Sequence, residues 1–285
     1  MILLFGSRGY IGSEFKKQLS KRKIPFIAWQ GARKTSFDQL QTFFKFNKIN
    51  YVINAAGYTG KPNVDACELN KEETFYGNVL WPQILVHFCQ LNDIVLGHVS
   101  SGCIYAGKRP DGSGFTEEDE PNFSFKQNNC SFYSGTKALA ETSVSSYEKN
   151  YIWRLRIPFE KKDNPRNYIS KMLKYPKLLQ AENSISNKEE FVSACIECII
   201  KNVPFGIYNV VNTGSITTEA LVSKLKNTIA KNRDFNLISE EELYKNYASA
   251  PRSNCVMSNT KLLNAGIKIK SVEESLDYCL NNWTI

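Results

Sequence analysis

Tyr133 and Lys137 stand four residues apart in Tyr133-Ser134-Gly135-Thr136-Lys137, a spacing that sets a phenol and an ammonium on one face of a helix. Upstream, Ser100-Ser101-Gly102-Cys103-Ile104-Tyr105 places a thiol two residues after a hydroxyl. In an extended segment residues i and i+2 share a face, so whatever Ser101 points at, Cys103 points at too. A third group binds rather than reacts. Gly6-Ser7-Arg8-Gly9-Tyr10-Ile11-Gly12 has the spacing GxxGxxG after the apolar run Ile2-Leu3-Leu4-Phe5. Glycines there allow a tight turn and let backbone N–H groups approach a pyrophosphate at a helix N-terminus. This is the logic of a dinucleotide site. The choice of dinucleotide follows from charge. No Asp or Glu occurs between Glu14 and Asp38, where an NAD site carries an acid for the ribose 2′-hydroxyl. Arg33, Lys34 and Arg8 offer cations for a 2′-phosphate instead, which points to NADP(H).

Positioning these groups requires a regular scaffold. Apolar runs at Ile2–Phe5, Ile24–Trp29, Tyr51–Asn54, Ile94–Val99 and Tyr151–Ile157 read as buried strands. Helical patterns alternate with them at Ser13–Lys21, Ser36–Lys45, Thr74–Leu91 and Tyr133–Lys149. That alternation predicts βαβ units and a parallel, doubly wound α/β sheet of the Rossmann type. The pattern changes after Pro158. Residues 1–158 are expected to form the cofactor domain and 159–285 mainly a smaller, partly interleaved substrate-binding cap. The segment 189–212, a helix then a strand, returns to the sheet.

Composition excludes several classes. With 42% hydrophobic and 22% charged residues the chain reads as globular, and no apolar run approaches the ~18 residues of a membrane span. Met1 leads straight into the first strand with no signal-like stretch, so a cytoplasmic location with reduced thiols is expected for the eight cysteines. Cys195-x-x-Cys198 reads as two small buried residues on one helix, since a zinc site would want a second pair. The net charge of +8 is spread among acids and accompanies no nucleic-acid motif. It suits anionic small molecules. His87 and His98 are the only histidines and fall in no motif, so neither a histidine-based triad nor a metal site is expected.

Taken with Asn54-Ala55-Ala56-Gly57 after the third strand and Ser100-Ser101 ending the fourth, the Tyr133/Lys137 pair resembles the extended short-chain dehydrogenase/reductase superfamily over roughly the whole chain. The resemblance implies that Tyr133 gives a proton to a carbonyl oxygen as hydride arrives. Lys137 lowers the tyrosine's pKa from its usual ~10 and holds the nicotinamide ribose. Ser101 hydrogen-bonds the same oxygen. Asn78 matches a structural asparagine of the fourth helix and, with Pro158, joins the cofactor-site residues.

Narrower likenesses follow. Thr59-Gly60-Lys61-Pro62-Asn63-Val64-Asp65, Asn164-Pro165-Arg166-Asn167-Tyr168-Ile169-Ser170-Lys171 and Ala250-Pro251-Arg252-Ser253-Asn254 are similar to segments of plant nucleotide-rhamnose synthase/epimerase-reductases. Those proteins read Ala-Thr where this chain has Ser100-Ser101, which keeps a hydroxyl. The likeness implies that Cys103 and Lys171 exchange protons on opposite faces of a 4-keto sugar, with Cys103 as base and Lys171 as acid. Arg252 would then bind the sugar nucleotide's diphosphate, and Tyr58 and Asn167 would line the substrate site. The implied activity is a UDP-4-keto-6-deoxy-glucose 3,5-epimerase/4-reductase fed by an upstream 4,6-dehydratase, because the Asp-Glu pair of dehydratases is missing here. Superfamily analogy adds a homodimer through the helix bearing Tyr133. Two alternatives stay open: a simple dTDP-4-dehydrorhamnose reductase, and a non-catalytic subunit like the β subunit of methionine adenosyltransferase.

Overall fold

Residues 1–31 and 35–285 are described by the computed structural model. Arg33 and Lys34 lie outside the described residues. In chain order the first half forms β1 (Ile2–Phe5), α1 (Tyr10–Lys21), β2 (Phe26–Ala28), α2 (Phe37–Phe46), β3 (Tyr51–Asn54), α3 (Ala66–Leu69), α4 (Lys71–Phe75), α5 (Trp81–Leu91), β4 (Val95–Ser101), α6 (Phe132–Ser145) and β5 (Asn150–Leu155). The second half adds β6 (Pro158–Phe159), α7 (Tyr168–Lys174), β7 (Leu178–Leu179), β8 (Glu182–Asn183), β9 (Ser186–Asn187), α8 (Lys188–Ile200) and β10 (Gly206–Asn209). It closes with β11 (Ile216–Thr217), α9 (Thr218–Asn227), β12 (Leu237–Ile238), α10 (Glu240–Asn246), α11 (Thr260–Asn264) and α12 (Val272–Asn281).

Six strands make one parallel sheet in the order β10-β5-β4-β3-β1-β2. All four residues of β1 are buried, as a strand covered on both faces requires. One face packs Phe15 and Leu19 of α1 with Phe191, Cys195 and Cys198 of α8 against Trp153 of β5. The other packs Leu40 and Phe44 of α2, Leu85 and Phe88 of α5 and Val144 of α6. Each such side chain, fully buried, contributes roughly 1.5–3 kcal/mol. The chain leaves β1 toward β2 on one side and β3 on the other, so a crevice opens at the carboxyl ends of these strands. The glycine loop, Asn54 and Ser101 all lie at those ends.

A separate apolar cluster holds the cap: Phe159, Ile169 and Met172 with Leu221, Leu225 and Leu276. Among the described residues no helix is long and apolar enough to cross a membrane.

The expected single helix Thr74–Leu91 is divided. Between α4 and α5 the backbone widens to a π-helical turn over Tyr76–Leu80. Pro82 supplies the reason. It has no N–H to give to the carbonyl of residue 78, and the Trp81 N–H reaches back five residues to Tyr76. Asn78 sits in that turn.

Candidate functional site

In the glycine loop, the Gly6 backbone has φ +76°, and a Cβ there would stand 2.5 Å from the Ala55 carbonyl carbon. A Cβ on Gly12 would run into the Gly6 carbonyl. The Gly9 N–H donates to the Gly6 carbonyl oxygen at 2.8 Å and closes the turn. Gly9 caps α1 without a side-chain hydrogen bond, and the first turn carries no acid. The N-terminal N–H groups and the positive end of the helix dipole are thus open to an anion. Arg8 is exposed beside them and Ser7 is buried beneath. The cradle fits the pyrophosphate of a dinucleotide. Arg33, expected at the adenosine end, lies outside the described residues.

Ser131 caps α6, its hydroxyl accepting from the Ser134 N–H at 3.2 Å, and this places Tyr133 and Lys137 in the first two turns. The Tyr133 phenol lies close to the Ser101 side chain, which favours its ionised form. The segment after Ser101 is not extended. Gly102–Ile104 form a 3-10 turn capped by the Ser101 hydroxyl, which accepts from the Cys103 N–H at 3.3 Å. The turn still carries the Cys103 thiol close enough to both Tyr133 and Lys137 to influence their ionisation. So convergence comes from a turn rather than from strand alternation.

Burial raises the Tyr133 pKa, the nearby Cys103 raises it further, and the Ser101 side chain and the Arg156 charge only partly oppose this. The Lys137 charge, expected to lower it, is not among the groups acting most strongly on the phenol. The phenol therefore holds its proton throughout the neutral range, the state a proton donor must occupy. Lys137 shifts the other way, down to about 8, because burial disfavours its charge more than Cys103 and Glu141 restore it.

Beneath the pair lies a buried ion bridge that sequence reasoning did not single out. The Glu141 carboxylate on α6 takes Nε and Nη2 of Arg154 on β5, the latter at 2.8 Å, and the Ser100 hydroxyl of β4 at 2.5 Å. Arg154 Nη1 donates to the Tyr105 hydroxyl at 2.9 Å. One carboxylate thus locks α6 to the two strands whose ends carry Ser101 and the cap. His98 was also missed. It is buried on β4, between Asn54 Nδ2 at 3.1 Å and Lys137 Nζ at 3.5 Å. An inward-facing histidine in an apolar strand leaves no spacing signal.

Asn78 braces the loop after β3. Its Oδ1 accepts from the Tyr58 N–H at 2.7 Å, and its Nδ2 donates to the Tyr58 carbonyl and to Thr136 Oγ1 at 2.9 and 3.2 Å. With its amide so engaged, Asn78 acts by fixing Gly57 and Tyr58 against α6.

On the cap side, Lys171 of α7 lies near Arg166 and Arg252; burial first, then these two charges, push its pKa down. Arg166 donates to Thr59 Oγ1 at 2.9 Å and to the Gly60 carbonyl at 2.7 Å, tying the cap to the loop after β3. Arg252 forms a two-pronged pair with Asp65 at 2.7 and 2.6 Å, so a diphosphate at Arg252 competes with a carboxylate already there. Asn167 is corrected more sharply. It is fully buried, accepts from the Ile169 and Glu160 N–H groups, and donates to the Glu160 and Lys162 carbonyls. No atom of its amide remains for a substrate; it caps α7 and folds the segment carrying Lys171. Arg156 is a buried cation that sequence reasoning passed over. Its Nη2 donates to Asn183 Oδ1 at 2.6 Å and to the Ser253 carbonyl, while Nε has no partner among the described residues.

The match to the RmlD substrate-binding-domain model extends over residues 1–285. The chain belongs to this family. As an RmlD-family chain it is 34% identical over 279 residues to the bifunctional dTDP-4-dehydrorhamnose 3,5-epimerase/dTDP-4-dehydrorhamnose reductase of Arabidopsis thaliana, covering 96% of this chain and 90% of that protein. It is also 34% identical to a trifunctional UDP-glucose 4,6-dehydratase/UDP-4-keto-6-deoxy-D-glucose 3,5-epimerase/UDP-4-keto-L-rhamnose-reductase of the same plant. There 96% of this chain spans 41% of the relative's length. The crystal structure of the L780 UDP-rhamnose synthase from Acanthamoeba polyphaga mimivirus shares its fold, with a TM-score of 0.90, 24% identity, and coverage of 99% and 98% of the two chains. The RmlD-family sheet and cap thus frame a centre where Ser101, Cys103, Tyr133 and Lys137 come together.

Proposed function

We propose that the chain is a bifunctional UDP-4-keto-6-deoxy-D-glucose 3,5-epimerase/4-reductase that makes UDP-L-rhamnose with NADPH. The observation that carries this reading is the thiol of Cys103 set beside the Ser101–Tyr133 pair. A simple reductase needs only the pair.

The Gly6–Gly12 cradle and the Asn54–Gly57 segment would hold NADPH, which would supply the hydride. The chain's own residues do the rest. Ser101 and Tyr133 hold the C4 carbonyl oxygen. That oxygen acidifies the hydrogens at C3 and C5, and both hydroxyls stabilise the enolate formed when one is removed. Cys103 takes the proton from one face and Lys171 returns one to the other, which inverts the centre. A lowered Lys171 pKa suits that role, since its proton is released more readily near neutrality. After both inversions, Tyr133 protonates O4 as C4 accepts hydride, leaving a hydroxyl. The substrate is the product of a 4,6-dehydratase acting upstream. The UDP form is taken from the trifunctional UDP-sugar relative of Arabidopsis thaliana, to which the identity is 34%.

Inversion by deprotonation leaves an isotopic record. In D2O the wild type is expected to place deuterium at C3 and C5 of the product. Cys103→Ala should lose that exchange yet still reduce an already epimerised 4-keto-L-rhamnose nucleotide. Equal deuteration by the variant would remove Cys103 from the epimerisation.

A further inference from the structure

The hydrogen bonds around His98 have only one consistent set of directions. Ala56 can offer Asn54 only an N–H, so the Asn54 atom facing it, 3.1 Å away, is the carbonyl Oδ1. The other end of the amide, Nδ2, is then the group 3.1 Å from His98 Nδ1. Nδ2 is a donor, so His98 Nδ1 must accept and carries no proton. A neutral imidazole has one N–H, and it is left on Nε2, the atom facing Lys137 Nζ at 3.5 Å. Burial, and then the Lys137 charge, hold His98 neutral by pushing its pKa far below the usual value. The Lys137 ammonium thus meets a donor where it would want an acceptor, and its one backbone acceptor is the Val99 carbonyl at 3.0 Å.

We propose that His98 is a positioning residue for the reductase centre: locked by Asn54 as the Nε2–H tautomer, it favours the neutral amine of Lys137 and couples that lysine's ionisation to the Asn54–Ala56 cofactor loop. The other groups acting on Lys137 are Cys103, on the turn after β4, and Glu141, one turn further along α6 and neutralised by Arg154 of β5. Both favour the charged form; burial opposes it, and the Nε2–H of His98, 3.5 Å from Nζ, adds to that opposition in this proposal. The functional part rests on the proposed reductase reading, in which the Lys137 ammonium would hold the nicotinamide ribose; the tautomer does not.

The chain has only two histidines, and His87 is exposed on α5, so 15N-histidine NMR on the full chain reads the ring directly, with His87→Gln assigning the signals. The expected result is an acceptor-type Nδ1 and a protonated Nε2 from about pH 6 to 10. The Nε2 shift should follow a titration near pH 8 that Lys137→Met abolishes. A protonated Nδ1 in the wild type overturns the proposal. Asn54→Asp turns the donor facing Nδ1 into an acceptor. It should move the proton to Nδ1 and shift the alkaline limb of the reductase rate up by about one pH unit, more than the same substitution does in a His98→Leu background, where only the charge of the new carboxylate acts. An unchanged tautomer, or a changed tautomer with an unmoved limb, also overturns it. Absence of any reductase activity in the wild type would instead refute the proposed function, with the NMR result standing alone.

Discussion

Tyr133→Phe is expected to slow 4-keto reduction by about 10²–10⁴-fold while leaving NADPH affinity and thermal stability close to wild type. The phenol hydroxyl lies close to the Ser101 side chain and, among the described residues, ties no element of the fold to another. Its raised pKa keeps it protonated across the neutral range, so the loss should be nearly constant from about pH 6 to 8. The alkaline decline of the wild type should instead follow Lys137, whose pKa lies at about 8. Steady-state kinetics of both proteins across that range check this. A variant with wild-type kcat would show that another group protonates O4.

Glu141→Ala should be the most destabilising single change near the site, costing roughly 3–5 kcal/mol. Arg154 is almost wholly buried, and removing its carboxylate strands a guanidinium in the interior. The Ser100 hydroxyl loses its acceptor as well. That cost is a large share of the ~5–15 kcal/mol that holds a typical domain together. Replacing both partners by apolar residues of similar volume, Glu141→Leu with Arg154→Met, should recover most of it, because the stranded charge is gone. Chemical denaturation of the single and double variants separates the two effects. A single variant as stable as wild type would mean that the bridge contributes nothing net.

What the sequence displayed was local. β1 and β3 appear at the predicted residues because a strand buried on both faces is a continuous apolar run. The glycine loop is legible because backbone crowding at Gly6 and Gly12 leaves no choice of residue. Tyr133 and Lys137 are legible because helical spacing is periodic. What stayed hidden depends on contacts across long separations. Glu141 and Arg154 are ordinary charges until α6 folds onto β5. His98 looks like filler in β4 until Asn54 and Lys137 close on it from two other elements. Asn167 resembled a ligand group because a buried helix cap and a substrate contact use the same amide. The Ser101–Cys103 turn broke the alternation expected of a strand because the Ser101 hydroxyl caps the chain as it leaves the sheet.

The most direct measurement supplies the purified chain with UDP-4-keto-6-deoxy-D-glucose and NADPH, follows NADPH oxidation, and identifies the product sugar by NMR. The account predicts NADPH consumption matched by a product of L-rhamno configuration. An untouched substrate, together with reduction of an already epimerised 4-keto-rhamnose nucleotide, would contradict it and leave the chain a simple reductase.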